Sequence, residues 1–212
     1  MPYVTDRGAA APQAGVTPAT STVSRNFIFS DHCASAAIYF DDGSDYYNAT
    51  DNVLAFGPIM MMWHGTNKNA ERNVIIRPDL DHSRCSNKGC INALSNSPGA
   101  KGGDPPFPSY RPNETVIGNV CIVEGQETSR LFYSGGSCSL GNIAATTPFG
   151  RNNSVLTSDT AAMLEDFVQC GYQHYSLKNW QALWPGGDRG TVVKPKPTNE
   201  AVVAIAKAKL FV

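Results

Sequence analysis

Charge is scarce in this 212-residue chain: Asp, Glu, Lys and Arg make up 17%, and 17 basic residues stand against 18 acidic ones. So even a balance supplies no field that would draw nucleic acid or an anionic lipid surface. Long apolar runs are missing too. The longest, VLAFGPIMMMW at 53–63, is broken by Gly57 and Pro58. It falls short of the roughly 18 residues that a membrane span needs and reads as a buried strand pair. The opening MPYVTDRGAAAPQAGVTPATSTVS has no basic stretch followed by an apolar one, so it does not read as a signal peptide. Two readings follow: a chain not exported by the usual route, or one whose leader was removed.

Catalytic signatures are absent as well. No G-x-S-x-G elbow exists, since GGSCSLG has the wrong spacing, and there is neither a C-x-x-C redox pair nor a phosphate loop. The acids of DDGSD (41–45) lack an EF-hand's spacing and its final glutamate, and read as a solvated turn. In SRCSNKGC (83–90), Cys85 and Cys90 follow His82, but no second tight pair completes a zinc site. No metal and no cofactor is expected.

Glycine (19), proline (14) and a 42% hydrophobic content are plentiful instead. They favour strands, turns and long ordered loops over helical bundles. Residues 1–24, rich in Ala, Pro and Thr, read as a flexible arm, and 25–212 as one globular domain. Strands are expected at NFIFS (26–30), SAAIYF (35–40), VLAF and IMMMW, NVIIR (73–77), VIGNVCIV (116–123), SRLFYSGG (129–136) and GTVVK (190–194). VIGNVCIV and SRLFYSGG read as a hairpin across EGQET. One helix is expected at about 158–170, capped by Thr157 or Ser158, with Ala161, Leu164, Phe167 and Val168 on its apolar face and Gly171 at its end. The tail NEAVVAIAKAKLFV suits a second helix capped by Asn199. No segment repeats at a fixed period. The fold class expected is α+β: a strand-dominated antiparallel sheet with the 158–170 helix packed on it.

Six scattered cysteines, Cys33, Cys85, Cys90, Cys121, Cys138 and Cys170, suit a disulfide framework in an oxidising, extracellular setting. Reduced buried thiols are the competing reading. The sequons at Asn48, Asn113 and Asn152 point the same way as the disulfides. Sequence leaves the cysteine pairing open.

Two resemblances add to this. Trp63-His64-Gly65-Thr66 at a strand end resembles the nicotinamide-pocket element of ADP-ribosyltransferases, which implies that His64 and Gly65 hold a nucleotide. The order RCSNKGC, NVCIV, FYSGGSCSLGNIA, LTSDTAAMLEDFVQCG and GTVVKPK is similar to the small cysteine-rich proteins secreted by fungi, the killer-toxin-like and effector families. That likeness covers about half of the chain and implies a toxin or effector that acts by binding. It lacks the expected second cysteine soon after Cys170. The function expected is therefore a secreted, disulfide-stabilised binding protein without catalysis, engaging a cell-surface protein. Its alternatives are a structural subunit of a virus particle or other assembly, whose arm reaches over neighbours, and an ADP-ribosyltransferase-like enzyme.

Overall fold

The computed structural model describes residues 3–4, 19–29, 36–40, 46–61, 67–77, 89–93, 114–124, 132–134, 149–170, 173–183 and 188–211. Its strands are short and fall into three sheets. Sheet A holds β1 (Tyr3–Val4), β4 (Ile38–Phe40), β7 (Ile59–Met61), β10 (Ile91–Ala93), β13 (Phe132–Ser134), β16 (Val168–Cys170) and β17 (Gln173–Tyr175). Sheet B holds β2 (Ser21–Ser24), β5 (Tyr47–Thr50), β8 (Asn69–Glu71), β11 (Thr115–Ile117) and β14 (Phe149–Arg151). Sheet C holds β3 (Phe27–Phe29), β6 (Val53–Ala55), β9 (Val74–Arg77), β12 (Val120–Val123), β15 (Ser154–Thr157) and β18 (Val192–Pro195).

Each sheet takes every third strand in chain order, and neighbours run parallel. The chain therefore coils: A, B, C, then A again, each turn stacked on the last. This is a parallel β-helix, a quasi-one-dimensional solenoid. It overturns the antiparallel α+β expectation. Among the described residues only β16 and β17 pair antiparallel. The expected hairpin across EGQET is not formed, because β12 lies in sheet C and β13 in sheet A. VIGNVCIV is not one strand but two, cut by a corner at Gly118-Asn119.

That corner recurs, and it explains the coil. Between sheets B and C the chain turns on two residues each time: Arg25-Asn26, Asp51-Asn52, Arg72-Asn73, Gly118-Asn119, Asn152-Asn153 and Gly190-Thr191. The first of each pair is left-handed, with φ between 54° and 73°. Only glycine takes that conformation without steric cost, so Arg25, Asp51, Arg72 and Asn152 need a compensating interaction. The second residue supplies it. Asn119 Oδ1 accepts from the Asn73 N–H (2.9 Å) and Asn73 Nδ2 (3.0 Å), while Asn119 Nδ2 donates to Ala70 O (2.9 Å) and Asn153 Oδ1 (3.1 Å). Asn52, Asn73 and Asn153 repeat the pattern, and all four of these asparagines are fully buried.

Ile38, Phe40, Ile59 and Ile91 of sheet A, Ala49, Ala70 and Val116 of sheet B, and Leu54, Ile75, Cys121 and Val155 of sheet C share one core. Sheet C is covered outside as well. Helix α3 (Asn199–Leu210) returns along it and buries Val202 against Val53, Val74 and Ile122. Burial on both faces is why VLAF, VIIR and VCIV are continuously apolar rather than alternating. The cap of α3 is Thr198, whose hydroxyl accepts from the Ala201 N–H (3.3 Å), one residue before the expected Asn199. Lys209 ties its far end to Asp51 (2.7 Å). Hydrogen bonds from Arg72, then Lys209, hold the Asp51 carboxyl down at about 2.

The helix expected at 158–170 is shorter. Helix α1 spans Thr160–Glu165, with Asp159 as its cap accepting from the Ala162 N–H (2.9 Å). Val168–Cys170 is instead β16: Phe167 and Val168 are drawn into the solenoid core, and sheet pairing with β13 overrides the helical period. A further helix, α2 (Leu177–Leu183), places Trp180 in the core.

The coil ends on a buried acid. Thr191 replaces the ladder asparagine: its hydroxyl accepts from the Asn153 N–H (3.2 Å) and donates to Asp188 Oδ1 (3.1 Å). Trp180 Nε1 donates to Asp188 Oδ2 (2.5 Å). Burial pushes the Asp188 carboxyl up to about 6 despite these donors. A raised carboxyl keeps its proton in the folded chain over a range where the unfolded chain has lost it, so the contribution of Asp188 to stability is most favourable below about pH 4. It should fall by about 3 kcal/mol as pH rises from about 4 to about 6, then level off. Asp188→Asn should flatten that slope in urea unfolding followed across this range. Asp51, shifted the other way, acts only below pH 4.

Candidate binding face

The coil treats its three sides differently. The B-to-C corner never exceeds two residues, whereas sheet A is entered and left through long segments. Residues 78–90 and 124–131 lead into β10 and β13; 94–114 and 135–148 lead out of them. In solenoids such insertions gather on one face, often the binding face.

The bases of these segments are fastened from within. Cys90, at the end of 78–90, is bonded to Cys121 in β12, with Cα atoms 6.0 Å apart and both residues fully buried. Beside it, the buried Arg77 guanidinium donates through Nη1 to Gly89 O (3.2 Å), and burial lowers its pKa to about 10. At the end of 94–114, Lys68 Nζ meets Glu114 Oε1 at 3.1 Å, and both side chains are buried.

Sheet A itself presents a line in register: Tyr39, Met60, Asn92, Tyr133, Gln169 and His174. Their neighbours Ile38, Ile91 and Val168 fill the core, so the strand's alternation puts Tyr39, Asn92 and Gln169 on the outer face. At about 4.8 Å per strand the line runs for roughly 24 Å. At its end His174 Nδ1 lies 3.0 Å from Asp166 Oδ1, both exposed to solvent.

Asn92 is the anomaly. It is fully buried, yet neither Nδ2 nor Oδ1 has a hydrogen-bond partner among the described residues. Leaving a buried amide unpaired costs about 1–3 kcal/mol, and such groups in native structures call for an explanation, whether strain, a bound water or ion, or a functional role. The Asp188 cluster, by contrast, has no room for a ligand: a Cβ added to Gly150 would stand 2.3 Å from Asp188 Oδ1. That cluster closes the coil.

The residues singled out in the sequence are scattered. His64 and Gly65, Cys33, Cys85 and Cys138, His82, Asn113 and the DDGSD turn lie outside the described residues. Cys170 is a strand residue of β16. Asn48 sits in β5 with its Oδ1 accepting from Asn69 Nδ2 (2.9 Å), and Asn69 Oδ1 accepts in turn from the Thr115 hydroxyl (2.8 Å). Asn152 is exposed at its left-handed corner, beside the buried Asn153. Among the described residues no group of three or more His, Cys, Asp or Glu could hold a metal ion, and no helix is long and apolar enough to cross a membrane. Sequence reasoning missed Asn92, since one polar residue in the fragment INA gives no signal until the turns are stacked.

Compared with known proteins, the chain matches no family model, no curated sequence and no solved structure.

Proposed function

We propose that this chain is an extracellular binding protein that engages an extended, uncharged, hydroxyl-rich ligand along the outer face of sheet A. The observation that carries this reading is Asn92 on that face, covered in the free chain, whose Nδ2 and Oδ1 have no hydrogen-bond partner among the described residues. A hydroxyl group answers both at once. The line through Asn92 holds no Lys, Arg, Asp or Glu, which favours a neutral glycan over a charged one, and its straight run suits a linear chain. The buried Cys90–Cys121 disulfide supports an oxidising compartment, and the exposed Asn152 sequon agrees with it.

The test is an array of neutral oligosaccharides graded by length. Binding should appear and strengthen as the oligomer lengthens toward the span of the sheet. Equal binding to monosaccharides and long chains, or none at any length, overturns the reading.

A second reading, a subunit of a larger assembly, has one observation in its favour: among the described residues β2 and β3 are the end strands of their sheets.

A further inference from the structure

One residue gathers the C-terminal end of the coil. Asp188 has no exposed surface, and its backbone and side chain both hold neighbouring elements. Its N–H donates to Gly150 O of β14 (2.7 Å), while its carbonyl accepts from Gln181 Nε2 of α2 (2.9 Å) and from the Thr191 N–H (3.2 Å). Its carboxyl accepts from Trp180 Nε1 of α2, from the Thr191 hydroxyl and from the Asn153 amide. Trp180 in turn packs on Tyr175 of β17, with ring centroids 5.8 Å apart. The last strand of sheet A therefore hangs on the same clasp. Asp188 itself is left-handed, φ 51°, a conformation that a non-glycine residue keeps only under restraint.

Among the described residues this carboxyl has three donors and no ion pair. Burial is the first cause of its raised pKa, and no neighbouring charge acts on it. The charged and titratable residues of the surrounding elements turn to solvent: Lys178 of α2, Arg151 of β14, Arg189 at the corner, Lys194 of β18 and His174 of β17 are all exposed. Trp184-Pro185-Gly186-Gly187, which joins α2 to Asp188, contributes no ionisable side chain. The space is also shut. A Cβ on Gly150 would stand 2.3 Å from Asp188 Oδ1, so the carboxyl itself fills the room that a hydrating water would need there.

We infer that Asp188 is a proton-controlled clasp: with its proton it holds α2 on the last turn, and without it α2 opens while the earlier turns stay folded. A neutral acid suits a closed interior that offers it no cation, whereas the carboxylate gains hydration only when α2 lifts. Helix α2 is the part that yields. It has seven residues, too few to be a stable helix by itself, while β14 and β18 are paired along their whole length to β11 and β15. In the open form the carboxyl is ordinary. The clasp is therefore tightest below about pH 4 and slackens as pH rises through about 6. This loosening is local, a sub-global opening on a coil that remains wound.

Hydrogen exchange of the full chain at about pH 4 and about pH 7, with intrinsic exchange rates divided out, tests this. A carboxyl at 3.8 when open and at about 6 when closed changes the opening equilibrium about a hundredfold. The Trp180 amide, bonded to Ser176 O, the Trp180 indole N–H and the Asp188 amide should open about that much more often at the higher pH. There they should also open about tenfold more often than the Val74 and Val120 amides of the middle turns. Asp188→Asn, where it folds, should give the clasp groups one opening equilibrium at both pH values. Clasp and middle-turn amides opening together at the higher pH, clasp opening that ignores pH, or a folded Asp188→Asn chain that keeps the full change each overturns the inference.

Discussion

Asn119→Ala should destabilise the fold by about 3–5 kcal/mol, among the largest losses expected from any single substitution here. Asn119 stands mid-ladder with no exposed surface, and its amide serves three turns of the coil at once. Truncation strands the Asn73 N–H and Ala70 O in the interior, each costing about 1–3 kcal/mol. It also leaves the left-handed residue Arg72 without the hydrogen bond that fixes the residue after it. The position in the stack sets the size of the effect. Asn26→Ala, at the exposed end, removes donations from Nδ2 to Asn52 Oδ1 and Ser24 O, neither fully buried, and should cost about 1 kcal/mol. Urea unfolding of both variants measures the gradient. Equal losses at the two sites would mean that the asparagines are only tolerated at the corner.

Lys68→Ala should cost about 3–5 kcal/mol, because it removes the buried cation that stands 3.1 Å from the buried Glu114 carboxylate. The double replacement Lys68→Met/Glu114→Leu should lie within about 1 kcal/mol of the parent or above it, since two desolvated charges are replaced by apolar volume. Thermal unfolding of the three proteins separates the cases. The pair then reads as a device of register: Glu114 follows a segment that leaves sheet A at 94, and its partner stands immediately before β8, the strand that β11 must find. A double variant as damaged as the single would show that the pair itself stabilises the coil.

The strands were legible in the sequence, but their partners were not. NFIFS, VLAF, NVIIR, NVCIV and GTVVK were each readable as apolar runs, and each is a strand of sheet C. What they share is the residue before them. Arg25-Asn26-Phe27, Asp51-Asn52-Val53, Arg72-Asn73-Val74, Gly118-Asn119-Val120 and Gly190-Thr191-Val192 all repeat one corner and one strand start. A repeat of that kind calls for parallel stacking. It escaped a search for fixed periods because segments such as 78–90 and 94–114 lie between successive copies and stretch the spacing unevenly. The helix at 160–165 was legible from its apolar face, but its cap is Asp159 and not Thr157 or Ser158, and its end was not legible. Phe167 and Val168 fit a helical face as well as a strand, and only the neighbouring β13 decides. The disulfide partners were open for the same reason: Cys90 and Cys121 are 31 residues apart in sequence and meet only where one turn lies on the next.

The same stacking makes Asn92 intelligible. On an isolated strand an outward asparagine would be solvated and unremarkable. On this face it is covered, with both polar atoms idle among the described residues, while the rest of the interior is tightly paired. The ladder amides are matched and this one is not, which is the observation behind the proposed binding face.

The most direct test of that claim compares the parent with Asn92→Leu, measuring melting temperature and binding to the longest neutral oligosaccharide side by side. Removing an unpaired buried amide should stabilise the free protein by about 1–3 kcal/mol, with a higher melting temperature, while binding weakens at least tenfold. A lower melting temperature with binding intact would contradict the account, because Asn92 would then be a structural residue and sheet A's outer face would not be the site.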